Sequence, residues 1–168
     1  MAVGQQVGDD PGVIPIPKDN PGGVWGAVWL GLADMIAPAR GKVKGAGAVT
    51  GLLRHIGYLP FTLADRLGLE YFDFPGSRRI LDISPIRPDI VQAHNLHGGY
   101  FDLRVLPELS ARAPVVLTLH DAWLLSGHCA HSFDCERWRR GCGQCPDLAI
   151  PPAIRRDATA INWRRKQR

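Results

Sequence analysis

Two short apolar runs constrain this chain more than anything else in it. Asp89-Ile-Val-Gln-Ala-His94, entered through Pro88, reads as one β-strand, and Pro114-Val-Val-Leu-Thr-Leu-His120 as a second. Between them lie the turn Asn95-Leu-His-Gly-Gly99 and a helical segment, Tyr100 to Ala111, with Phe101, Leu103, Leu106 and Leu109 on one side. Strand, turn, helix and strand within about 30 residues make a βαβ unit, which joins parallel strands. Pro107 lacks an N–H donor, so the helix is expected to kink or to fall into two pieces. The unbroken apolar character of the second run predicts a strand covered on both faces.

That geometry aims the polar residues. Ligands of open α/β sheets sit outside the carboxyl ends of the strands. His94 closes the first strand and His120-Asp121 the second, with Asn95, His97 and the Gly98-Gly99 backbone beside them. The plainer reading makes each histidine a structural residue bonded to a nearby carbonyl. Two histidines at adjacent strand ends, followed by Asn and Asp, favour a binding site instead.

The remainder is less legible. At 168 residues, 45% hydrophobic and 21% charged, the chain can bury one core, which excludes a disordered tail or a collagen-like rod. Residues 1–23 are rich in Gly, Pro and Asp, and Val13-Ile-Pro-Ile-Pro17 allows at most an edge strand. No buried strand is expected ahead of residue 13. Val24 to Ala37 has Val24, Val28, Leu32 and Met35, with Trp25, Trp29 and Ile36, at helical spacing, and Pro38 closes it. Gly41 to Gly51 reads as a flexible linker before a weaker helix over Leu52–Leu67. Residues 1–84 thus form a region of two weak helices without nameable chemistry, and 85–168 hold the βαβ core. The start lacks a secretory signal, and the 14-residue apolar stretch from Val24 falls short of the ~20 needed to span a bilayer. The expectation is a soluble, cytoplasmic chain.

All four cysteines fall within residues 129–145, as Cys129, Cys135, Cys142 and Cys145. In a cytoplasmic chain such clustering favours metal over disulfides, and four thiolates suit structural zinc. Gly143 in the Cys142-Gly-Gln-Cys145 knuckle lets amides turn towards the sulfurs, and His128 and His131 are reserve ligands. Two disulfides are the alternative. A redox CxxC is weakened by the two further cysteines and by the lack of a preceding strand. The spacing differs from zinc ribbons and from iron–sulfur runs.

These residues also carry a resemblance. Pro88-Asp-Ile-Val-Gln-Ala-His-Asn-Leu-His-Gly-Gly-Tyr-Phe101 resembles a stretch of the family 4 glycosyltransferases, enzymes of the two-domain GT-B fold. Val115-Val-Leu-Thr-Leu-His-Asp-Ala-Trp123 continues it, as do Ser126 to Trp138, Gly141 to Pro146 and Arg156 to Lys166. The resemblance covers residues 85–168 and is loose before them. It implies a partial Rossmann-like parallel sheet, the N-terminal half of a GT-B enzyme, with a Cys-rich insertion. It implies that His120 sits beside the donor sugar, that Asp121 orients it, and that His94, Asn95, His97, Gly98 and Gly99 line the acceptor side. It also implies a nucleotide-sugar donor, retention without a catalytic metal, and a saccharide or lipid-linked acceptor at the inner face of the membrane.

Two departures shape the expectation. Such enzymes begin with a strand and a glycine-rich loop, and they continue into a donor-binding domain with an E-x7-E segment. Glu70, Glu108 and Glu136 are the only glutamates here, so that segment is missing. The chain is therefore expected to be an acceptor-side part, inactive alone, with the nucleotide-sugar site on another domain or chain. Two rival readings are a zinc-bearing nucleic-acid module and a non-catalytic truncated gene product. Residues 133–168 do hold nine of the 20 Lys and Arg against four acids, yet only Trp138 and Trp163 are placed to stack on bases, which makes nucleic acid the weaker partner.

Overall fold

The computed structural model describes residues 2–4, 13–16 and 22–168. Its elements are β1 (Ala2–Gly4), β2 (Val13–Pro15), α1 (Gly23–Ile36), α2 (Ala46–Gly57), α3 (Leu59–Arg66), β3 (Val91–His94), α4 (Leu106–Arg112), β4 (Val115–Thr118) and α5 (Thr159–Lys166). The result is mixed α/β with two separate two-stranded parallel sheets, β1–β2 and β3–β4. The three-residue β1 lies ahead of residue 13 and pairs with β2. Pro17 lies outside the described residues.

The α1–α2 pair is built on small residues. Gly26, Leu30 and Ala33 of α1 are buried, as are Ala46, Thr50 and Gly57 of α2. A methyl group at Gly57 would lie 2.8 Å from Leu30 Cγ, so the absence of a side chain is what lets the helices approach. The larger stripe, Val24, Val28, Leu32 and Met35, is exposed. Its spacing belongs to a helix, but close packing selected the face with the smallest residues. The expected linker is shorter than its composition suggested, because α2 starts at Ala46. Gly45 precedes it at φ 88°, and Thr50 Oγ1 donates to Ala46 O at 2.7 Å. Tyr58 then separates α2 from α3, whose first turn holds Pro60.

The main core gathers Phe72, Leu96, Phe101, Leu103, Val105, Leu109 and Trp123. Against it pack Ala93 of β3 and Val115 and Leu117 of β4. The opposite face of this sheet is open: Val116 is 52% exposed, and Gln92 and His94 are exposed as well. The expected burial of β4 on both faces is thus corrected, since the core covers one side only. Pro107 splits the expected Tyr100–Ala111 helix as its chemistry requires. Leu103–Val105 forms a 3-10 turn, and α4 follows with Pro107 in its first turn, where the missing N–H costs nothing. Asp102 caps that turn by accepting from Arg104 N at 3.0 Å.

Two substitutions in α2 separate packing from propensity. Gly57→Ala is expected to destabilise by about 1–3 kcal/mol through its clash with Leu30. Gly51→Ala, where nothing lies within 4 Å, is expected to stabilise by about 0.5–1 kcal/mol. Urea unfolding of both variants measures the two signs, and equal effects would contradict the packing assignment.

Candidate functional site

Parallel pairing sets the site. β3 and β4 run in register from Val91↔Val115 to His94↔Thr118, so both chains leave the sheet at the same edge. Past that edge His94 Nδ1 and His120 Nε2 share a hydrogen bond of 2.8 Å. His97 Nε2 donates to Asp121 Oδ2 at 2.9 Å. The histidine–histidine pair and the histidine–acid pair both cross between the strands and tie the loops together. Asn95 takes φ 44°, a conformation its short polar side chain tolerates, and Gly98 and Gly99 follow at φ 97° and 76°. Tyr100 Oη donates to Asn95 O at 2.9 Å and holds the turn in place.

All the residues singled out from the sequence at this edge are brought to the same two loops. Asn95, His97, His120 and Asp121 line one open hollow with Leu96, Thr118 and Trp123 among its walls. His94 reaches that rim through His120. Gly98 and Gly99 shape the turn rather than the wall.

Trp123 supports this hollow from within. Asp121 Oδ1 accepts from Trp123 N at 2.9 Å, which orients the carboxylate whose other oxygen holds His97. The indole lies 5.4 Å from the His97 ring and edge-on to Phe72 at 6.5 Å. Lys166 Nζ stands 3.8 Å from the indole centroid and donates to Trp123 O and to Glu70 Oε1, each at 2.8 Å. Burial pushes the Glu70 carboxyl up to about 7, against the pull of Lys166. Burial also lowers the Lys166 ammonium, with Glu70 opposing. Asn162 completes the clamp: its Nδ2 donates to Gly68 O at 2.9 Å, and its Oδ1 accepts from Glu70 N at 3.0 Å.

The sequence marks Lys166 and Arg165 only as members of the basic segment 133–168, and nothing in it points to Glu70. The Lys166 side chain is fully buried, and Arg165 donates to Glu70 O and lies over the Phe72 ring at 4.4 Å. Only the i, i+3, i+4 spacing of Asn162, Arg165 and Lys166 could have signalled a shared helix face.

The cysteine segment folds directly after the hollow. All four thiols are free, and all four line a small, partly open hollow with His128. Gly127 N donates to Cys142 Sγ at 3.1 Å. Burial pushes the Cys142 and Cys145 thiols up. His131 stands apart, its ring 4.3 Å from Phe133 and its Nδ1 accepting from Phe133 N. Among the described residues, no three His, Cys, Asp or Glu side chains are already arranged to hold a metal ion. Gly127 has no room for a side chain, since a methyl group would lie 2.6 Å from Thr159 Cβ. The segment is thereby pressed onto α5.

The chain is 31% identical over 77 residues to the protein described as "Putative colanic acid biosynthesis glycosyl transferase WcaC" of Escherichia coli K12. That match spans 42% of this chain and 19% of the relative. Over part of its length, then, the chain is similar to a glycosyl transferase. No protein-family model matches it, and no solved structure does. Among the described residues no helix is long and apolar enough to cross a membrane.

The buried Glu70 gives a pH signature. Its folded carboxyl binds a proton more tightly than the unfolded one, whose value is near 4.5. The unfolded state therefore loses its proton first, and this group's contribution to stability falls as pH rises from 4.5 to about 7. The stability of the native protein minus that of Glu70→Gln is expected to decline across that window. A flat difference in thermal melts would contradict the burial account.

Proposed function

We propose that this chain is part of a glycosyltransferase and that the hollow at the ends of β3 and β4 takes its saccharide acceptor. The observation that carries the reading is the convergence of His94, His97, His120 and Asp121 beside Trp123. Sugar hydroxyls donate and accept, and imidazoles with a carboxylate answer both needs at short range. Leu96, Leu117 and Trp123 supply apolar wall against the C–H surface of a sugar ring. The partial similarity to a glycosyl transferase supports the same class of ligand.

In this reading the chain belongs to the family 4 glycosyltransferases and forms the acceptor side of a GT-B fold, with residues 129–145 as an insertion. His120 is the catalytic residue at the transferred sugar. His94 fixes one nitrogen of its ring and so decides which face of the imidazole meets the substrate. Asp121 positions His97 and the loop. Asn95, His97, Gly98 and Gly99 form the acceptor side. The donor is a nucleotide-sugar held by a further domain or a separate chain, where cationic groups and helix N-termini stabilise the departing diphosphate. No catalytic metal is needed. The setting is cytoplasmic, with the chain peripheral at the inner membrane face when its acceptor is lipid-linked.

Four of the nine basic side chains of residues 133–168 are engaged within the chain, which weakens the case for a nucleic-acid partner. Arg137 donates to Gly143 O, Arg155 pairs with Asp65, and Arg165 and Lys166 are turned inward.

A glycan array covering neutral and acidic oligosaccharides, followed by calorimetry on the bound species, tests the proposal. A saccharide is expected to bind, and His97→Ala or Asp121→Asn to weaken it at least about tenfold, or about 1.4 kcal/mol. Binding that survives both substitutions unchanged, or an array with no bound saccharide, would overturn it.

A further inference from the structure

The cysteine segment is joined to the candidate site by backbone. Ala122 N donates to Ala130 O at 2.7 Å, closing a loop that begins immediately after His120-Asp121 and contains Trp123. Ser126 Oγ donates to Cys129 O at 2.6 Å inside it. Ala130 N in turn donates to Pro151 O at 2.8 Å, and Cys145 N donates to Asp157 Oδ2 at 2.7 Å just before α5. Whatever fixes the cysteines therefore fixes the loop that follows Asp121 and carries Trp123.

Within the hollow, His128 is the most informative residue. It is 1% exposed, and its Nδ1 lies 3.0 Å from Pro152 O. A carbonyl only accepts, so Nδ1 carries a proton, and in the Nδ1–H tautomer of the ring Nε2 presents a lone pair on the other side. That lone pair faces Cys145 Sγ at 3.4 Å. A Zn–N bond of about 2.0 Å and a Zn–S bond of about 2.3 Å in a tetrahedron set their donors about 3.5 Å apart. A backbone carbonyl on the far nitrogen is also the usual way a ligating imidazole is oriented. Cys142, three residues back along the knuckle, already accepts an amide hydrogen bond at its sulfur from Gly127. Gly143 at φ 134° and Gln144 at φ 49° turn the backbone between the two thiols.

We propose that these groups form a zinc site: His128 Nε2, Cys142 and Cys145, with a thiolate from Cys129 or Cys135 in the fourth position. The thiol-rich donor set suits zinc better than hard cations. Each thiol gives its proton to solvent as its Zn–S bond forms, and the imidazole binds through its lone pair. The donors surround one hollow but are not yet arranged to hold an ion, so the set contracts on binding and the binding energy becomes folding energy of the loop. The ion is structural, clasping the segment after Asp121 against α5, and the proposal stands independently of which reaction the neighbouring hollow serves. It revises the all-cysteine ligand set expected from spacing by bringing in His128.

The test uses the full chain, reduced and purified without chelator. Elemental analysis is expected to find near-stoichiometric zinc, and bound zinc to protect Cys142 and Cys145 from alkylation read by mass spectrometry. Histidine 15N spectra of the native protein are expected to move at His128 Nε2 when zinc is restored after chelation, a readout that requires no variant. Chelation is expected to lower the melting temperature and to broaden the Trp123 indole signal. Cys145→Ser is expected to lose zinc, whereas His131→Ala keeps it. No zinc uptake, uptake with His128 Nε2 unmoved, or cysteines recovered as disulfides from unreduced protein would each overturn the proposal.

Discussion

The indole of Trp123 is the point on which the two functional regions and the core depend together. It is buried at 6% exposure, set edge-on to Phe72, tilted against His97 and capped by the Lys166 ammonium. Its amide is held by Asp121 and its carbonyl by Lys166. A large aromatic with a cation on one side and an imidazole on another transmits the position of α5 to the sheet edge. The cost of this arrangement lies in Glu70 and Lys166, two ionisable groups taken out of water together. Such a pair contributes little net stability, but loss of either partner leaves a buried charge uncompensated. Its role is positional: it sets where α5 docks, and α5 sets where the loop after Asp121 runs.

What was legible in the sequence follows from local rules. The strands at 91–94 and 115–118, the turn through Asn95 to Gly99 and the break at Pro107 all rest on short apolar runs, glycine freedom or a missing N–H. His94, His97, His120 and Asp121 were found because parallel strands bring their carboxyl ends to one edge, whatever lies elsewhere. The pairing inside that set was not legible. Nothing in the spacing says that His94 bonds His120 while His97 takes Asp121.

The less legible parts depend on long-range packing. Lys166 reads as solvent-facing until Glu70, 96 residues earlier, is placed beside it. The apolar spacing of α1 marks a helix but not its buried face, which is set by Gly57 admitting Leu30 on the other side. β4 reads as doubly buried because composition cannot tell a strand with two covered faces from one with a single covered face. His128 belongs with the cysteines for a reason that spacing does not encode, namely the Pro152 carbonyl that fixes its tautomer. Together these give a sheet edge shaped by nearby sequence and held by distant sequence.

The central claim is that the imidazoles at the ends of β3 and β4 are a saccharide site kept in shape by Trp123. Its most direct measurement is the 1H–15N spectrum of the histidine side chains during titration with an oligosaccharide selected on the array. His97 and His120 are expected to shift together with the Trp123 indole, while His55 and His131, both exposed and outside the hollow, stay fixed. Shifts confined to His55 or His131, or spread evenly over all six histidines, would contradict it.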